Sequence, residues 1–308
     1  MRKKVTIVGA GNVGATTAQR LAERGWYDIV MVDIVDGLAE GKALDMLEAN
    51  PILGVDSMIV GSTGYEATAG SDIVVITSGV ARKPGMSRDD LLTTNERIVR
   101  GVVEQVVSRS PETILVVLTN PLDPMTQLAL RASGFPKSRV VGQAGILDTA
   151  RYRCFVAMEL GVSPREVQAV VLGGHGDLMV PLPRLTMVAG RPLPSLLPPE
   201  RVEAIVERTR KGGEEIVRYL KTGSAYYAPS AALAEMVDAI ALDQKRVLPC
   251  STLLEGEYGI DGLCVGVPVK LGAGGVEEVV VLDLSSDELS ALHRSATAVR
   301  ESLAVMKL

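Results

Sequence analysis

The sequence predicts a doubly wound parallel sheet of the Rossmann type followed by a second α+β unit, and three observations predict it. In the first half, short β-branched runs alternate with longer helical patterns, as parallel strands joined by crossover helices require. A glycine turn, Gly9, Gly11 and Gly14, stands directly after the first run and opens a helical pattern. After Gly142 that alternation stops. The expected division is a dinucleotide-binding domain over residues 1–142 and a second domain over residues 143–308.

The runs are Val5 to Val8, Ile29 to Asp33, Ser57 to Val60, Ile73 to Thr77, Ile114 to Thr119 and Val140 to Gly142. Each is short and mostly apolar, which suits a strand covered by helices on both faces. The first crossover helix is expected over roughly Val13 to Arg24. Past Gly142, a helical stretch from Asp148 leads to a strand-like Val167 to Leu172, a loop, and the proline-rich segment Pro181 to Pro199. Glu200 to Leu220 carries apolar residues at helical spacing, including Val202, Ile205, Ile216 and Leu220, with Gly212 and Gly213 between, and predicts a long helix kinked there. A last helix begins at the capping-box pair Ser285 and Glu288, and Leu289, Leu292, Ala296, Val299, Leu303 and Met306 form its apolar stripe.

With 308 residues, 47% of them apolar, the chain can bury one large core or two moderate ones. Its formal charge of −5 is spread over mixed signs, without a basic stripe or polybasic patch, so neither nucleic acid nor a membrane surface is an expected partner. The apolar run Val5 to Ala10 behind the basic start breaks at Gly11 and Asn12, and no apolar stretch spans a bilayer; the cytoplasm is the expected compartment. Cys154, Cys250 and Cys264 lack the paired spacing of zinc or redox motifs and read as reduced core thiols, with no metal site.

The glycine turn has a specific physical meaning. Its first glycine permits a tight turn, its second lets a pyrophosphate approach the backbone at the helix N-terminus, and its third packs helix on strand. Asp33 ends the second run, where a carboxylate accepts hydrogen bonds from ribose hydroxyls and repels a 2′-phosphate. NAD is therefore expected over NADP. Asn120, in Thr119-Asn120-Pro121, reads either as a residue facing the crevice at the strand ends or as a turn residue before proline.

Two histidines limit the choice of an acid–base group. His293 falls in the last helix and reads as a surface or packing residue. His175 lies in Gly173-Gly174-His175-Gly176-Asp177, a loop directly after a strand. Asp148 and Arg151, three apart, share one helical face, and by themselves they read as a simple ion pair.

Taken together, Gly9 to Gly14, Asp33, Gly79 to Arg88, Thr119-Asn120-Pro121, Leu147 to Arg151 and Gly173 to Asp177 closely resemble the lactate and malate dehydrogenase family, in its order and over most of the chain. The resemblance implies that Asp148 holds the imidazole of His175, which takes the hydroxyl proton as hydride leaves for the nicotinamide. It implies that Arg151 grips the carboxylate beside the reacting carbon through two parallel hydrogen bonds. Residues 81–88 look like the family's mobile loop, hinged near Pro84 and Gly85, whose closure brings Arg88 to polarise the substrate carbonyl. The cofactor-facing set it implies is Gly9, Ala10, Gly11, Asn12, Val13, Gly14, Asp33, Asn95, Thr119 and Asn120, with Asn120 also facing substrate.

Arg82 stands where lactate enzymes resemble each other in glutamine and malate enzymes in arginine, which implies a second carboxylate and hence malate. Ala225, where lactate enzymes often have threonine, leaves room for a diacid. A lactate dehydrogenase of the same fold is the nearest alternative, and a non-catalytic NAD-binding sensor is another. The sensor would need none of Asp148, Arg151 and His175. The resemblance also implies a homo-oligomer, dimer or tetramer, with the terminal and kinked helices as candidate contacts.

Overall fold

The computed structural model describes residues 2–80 and 87–306, and of Arg88 the backbone alone. Six strands answer the six apolar runs: β1 (Lys3–Val8), β2 (Tyr27–Val32), β3 (Ile59–Ser62), β4 (Ile73–Ile76), β5 (Ile114–Val117) and β6 (Val140–Gly142). They pair in parallel in the order β3-β2-β1-β4-β5-β6. Crossovers are α1 (Asn12–Ala22), α2 (Leu38–Leu53), α3 (Arg88–Arg109) and α4 (Leu122–Ser133).

The period of two along each strand sorts its side chains into two cores. Ile73 and Val75 join Ala18, Leu21 and Ala39 of α1 and α2. Their neighbours Val74 and Ile76 join Val99, Val103 and Leu128 of α3 and α4. Full burial on both faces is why these runs are continuous rather than alternating in polarity.

Past β6 come α5 (Gly145–Leu160), β7 (Val167–Gln168), β8 (Val171–Leu172), β9 (Val180–Pro181), β10 (Met187–Val188) and β11 (Arg191–Pro192). Then follow α6 (Pro199–Arg210), α7 (Gly212–Leu220), α8 (Tyr227–Ala241), β12 (Arg246–Glu255), β13 (Asp261–Gly272), β14 (Gly275–Val279) and α9 (Ser286–Val305). Strands β12, β13 and β14 form an antiparallel meander, and β12 pairs antiparallel with β6, with Ser251 opposite Gly142. The sheet therefore has nine strands in the order β14-β13-β12-β6-β5-β4-β1-β2-β3. Residue 142 marks a change of strand direction within one sheet.

Three expectations are corrected. Val167 to Leu172 is not one strand, because its ends pair with different partners, β7 with β10 and β8 with β9. The kinked helix is two helices meeting at Lys211, where glycine-rich Gly212 and Gly213 open the second one against the side chain of Arg151. Cys154 is exposed, since α5 turns Tyr152 and Val156 inward and Cys154 outward; Cys250 and Cys264 are buried. Among the described residues no helix is long and apolar enough to cross a membrane.

Candidate active site

The carboxyl ends of β1, β4 and β5 open into a cleft of about 950 Å³, closed on its far side by the His175 loop, α7 and the start of α8. Parallel strands with helices on both faces place their C-terminal loops there, at the point where strand order reverses.

On the cofactor side, the glycine loop joins β1 to α1. Gly9 N–H donates to Val32 O at 2.7 Å, tying the loop to β2. A Cβ on Gly14 would stand 1.8 Å from Gly9 O, so α1 can approach β1 this closely only at glycine. At Gly11 a Cβ would meet nothing within 4 Å, leaving a cradle beside the N-terminus of α1, which carries no side-chain cap and no acidic residue in its first turn. Bare N–H groups beside an open backbone suit a phosphate.

Asp33 accepts from Ala10 N–H at 2.7 Å and from Val35 N–H at 3.0 Å, and Lys42 Nζ donates to Ala10 O at 2.6 Å. Asn12 is exposed at the head of α1, and Val13 lines the cleft. These residues fit a dinucleotide.

Thr119 and Asn120 line the cleft at the end of β5, with Thr119 Oγ1 donating to Ser78 O at 2.6 Å. Asn95 is placed differently from its expected role. It is buried on α3, and its amide accepts from Val80 N–H at 2.8 Å and donates to Asn120 O at 2.7 Å. Its side chain clamps together the two loops that frame the cleft.

Across from this wall, Asp148 projects from the first turn of α5 and is 1% exposed. Its oxygens lie 2.9 and 3.1 Å from His175 Nδ1. A carboxylate on Nδ1 keeps the proton there in the neutral ring, so Nε2 is the nitrogen left with a lone pair. The negative charge of Asp148 raises the His175 pKa, against the opposing effect of burial. Such a ring can accept a proton and be held as an imidazolium.

One turn on, Arg151 reaches Asp148 Oδ1 through a long 3.4 Å contact, and its Nε is buried with no hydrogen-bond partner among the described residues. Burial lowers its pKa, but a guanidinium stays charged. An unsatisfied planar cation on the wall of a cleft can take a planar anion in two parallel bonds. Ala225 also lines the cleft. Arg82 and the expected hinge residues Pro84 and Gly85 lie outside the described residues, as does the side chain of Arg88, whose backbone opens α3.

Sequence reasoning missed Asp123 and Ser251, a buried hydrogen-bonded pair behind the His175 loop. Neither carries a motif. It also missed the β12–β14 meander, although the apolar alternation Leu263, Val265, Val267, Val269 and Leu271 was a usable signal.

Two family signatures match the chain: lactate/malate dehydrogenase, NAD binding domain, over residues 3–142, and lactate/malate dehydrogenase, alpha/beta C-terminal domain, over residues 146–307. The malate dehydrogenase of Thermomicrobium roseum is 64% identical over 307 residues, covering 100% of this chain and 99% of that protein. The structure of malate dehydrogenase from Salinibacter ruber superposes with a TM-score of 0.94 at 54% identity, covering 98% of this chain and 97% of that one. The lactate dehydrogenase of Cryptosporidium parvum, solved with lactic acid and nicotinamide adenine dinucleotide, superposes with a TM-score of 0.96 at 38% identity, covering 99% and 98%.

Proposed function

The chain belongs to the lactate/malate dehydrogenase family, and on that premise we propose that it works as an NAD-dependent malate dehydrogenase, converting (S)-malate and NAD reversibly to oxaloacetate and NADH. The observation that carries the chemistry is the buried Asp148 carboxylate on His175 Nδ1, at the wall of a cleft that Val13, at the start of α1, also borders. Bound NAD supplies the hydride acceptor, and residues 9–14 with Asp33 are suited to its pyrophosphate and ribose.

In malate oxidation, neutral His175 takes the hydroxyl proton on Nε2 and becomes an imidazolium held by Asp148; in oxaloacetate reduction it returns that proton. Arg151 grips the carboxylate next to the reacting carbon and so sets which face of the substrate meets the cofactor. By resemblance, Arg82 takes the distal carboxylate, Arg88 polarises the carbonyl, and Asn120 contributes on the β5 side. Arg82 and the malate dehydrogenases among the relatives favour malate over lactate. The full catalytic set argues against a sensor. Exposed Leu44, Ile52 and Leu53 on α2 support a homo-oligomer, dimer or tetramer.

The test follows NADH formation by absorbance with malate or lactate, for the natural chain and for His175→Asn. Malate is expected to be the better substrate. The variant should lose at least ~10²-fold in kcat while binding NADH nearly as well, since the imidazole acts on substrate alone. Near-normal malate oxidation by the variant would remove His175 from the mechanism.

A further inference from the structure

Behind the His175 loop lies a second carboxylate that the chemistry above does not use. Asp123 sits in the first turn of α4, 3% exposed, and its Oδ1 accepts from Ser251 Oγ at 2.6 Å. Its Oδ2 lies beneath Gly174, 3.2 Å from where a Cβ on that glycine would stand. The loop is pinned over it: Gly173 N–H donates to Gly266 O at 2.8 Å, and Gly174 N–H to Ser295 Oγ at 2.7 Å.

A first-turn carboxylate gains only modestly from the helix dipole, even in a partly buried site. Burying a carboxylate without a cation bonded to it costs more than that gain returns. Helix capping therefore does not account for Asp123, and an asparagine would satisfy Ser251 without the burial cost.

We propose that Asp123 is a positioning residue for the proton on His175: its charge adds to that of Asp148 in favouring the imidazolium, and its own protonation relaxes that hold. The proposal rests on the reading of His175 as the proton carrier. The groups that act on the pair are Asp148 and Arg151 from α5, His175 itself from the loop and Cys264 from β13, while Ser251 and Ser295 contribute uncharged hydroxyls from β12 and α9. Burial pushes the Asp123 pKa up to about 6, opposed by the Ser251 hydrogen bond and the His175 charge. On His175 the main upward push is Asp148; Asp123 adds to it, and Arg151 opposes it.

Asp123→Asn keeps the shape and an acceptor for Ser251 but removes the charge, so His175 should release its proton at lower pH. The acid limb of kcat/KM for malate, which needs the neutral ring, then moves to lower pH, and so does the alkaline limb for oxaloacetate, which needs the imidazolium. Ser251→Ala removes the donor that favours ionised Asp123 and should move both limbs the same way by less. If Ser251 acts through that charge, the double variant moves no further than Asp123→Asn.

The direct readout is the imidazole titration by NMR of the full chain with NAD bound. With two histidines in the protein, His293, bonded to Tyr258 O at 2.7 Å, is the internal reference. A His175 midpoint that stays in place in both single variants overturns the proposal, whatever happens to stability or to kcat. If Asp123→Asn does not fold, Ser251→Ala decides by the same measurements. Turnover surviving His175→Asn would instead overturn the proton-carrier reading, so the two failures are distinct.

Discussion

At the carboxyl end of β2, Asp33 already has both oxygens engaged, by Ala10 N–H and Val35 N–H. The carboxylate shapes the glycine loop, and in the proposed reading it also meets the ribose of bound NAD. Asp33→Ser should therefore weaken NADH in two ways, by loosening the loop and by losing acceptors for the ribose hydroxyls. For NADPH the lost repulsion of the 2′-phosphate offsets part of that loss. The expected outcome of fluorescence titration is a clearly weaker Kd for NADH, a smaller change for NADPH, and a narrowed preference. Undiminished NADH affinity would place the ribose elsewhere.

Among the elements, α9 links stability to the site most directly. It begins with a complete capping box: Ser285 Oγ accepts from Glu288 N–H at 3.3 Å, and Glu288 Oε2 accepts from Ser285 N–H at 2.8 Å. The same Glu288 pairs with Arg184 at 2.9 Å. Along the helix, Leu292 and Ala296 are buried in the larger core, and Ser295 holds Gly174. Ser285→Ala should cost about 1 kcal/mol, the usual value of a lost N-cap, and lower Tm by a few degrees. Because Ser295 sits almost three turns further on, kcat should stay near the natural value. A fall in kcat as large as that of a catalytic variant would mean that the cap sets the loop as well as the helix.

For the whole molecule, the informative contact is between the turn that joins α1 to β2 and α8, whose start borders the cleft. Arg24 Nη1 donates to Asp238 Oδ1 at 2.7 Å and to Ala234 O at 3.2 Å; buried Tyr27 donates to the same Asp238 oxygen at 2.7 Å. Burial raises the Asp238 pKa, against hydrogen bonds from Tyr27 and Arg24. Removing the cation leaves a carboxylate that burial already disfavours. Arg24→Ala should therefore destabilise by roughly 1.5–3 kcal/mol, the range for hydrogen bonds to charged groups. Since the nine-stranded sheet and the larger core run through both halves, scanning calorimetry should show a single transition shifted to lower temperature. Two separated transitions would mean that the halves before and after residue 142 unfold independently.

Features that depend on residues close along the chain are legible in the sequence. The G-x-G-x-x-G turn, the period that sorts strand residues into two cores, the Ser285–Glu288 box and the helical pairing of Asp148 with Arg151 are all matters of short spacing, so local sterics and hydrogen bonding dictate them. His175 and Asp148 are 27 positions apart, and only the joint resemblance of several motifs linked them before the structure did. Tertiary packing alone decided that β12 joins β6, that Cys154 faces outward, that Asn95 clamps two loops, and that Asp123 meets Ser251 from 128 positions away beneath the His175 loop. No spacing rule couples such pairs: their proximity follows from how helices and strands cross, and the burial that makes a carboxylate consequential exists only once the sheet has closed around it.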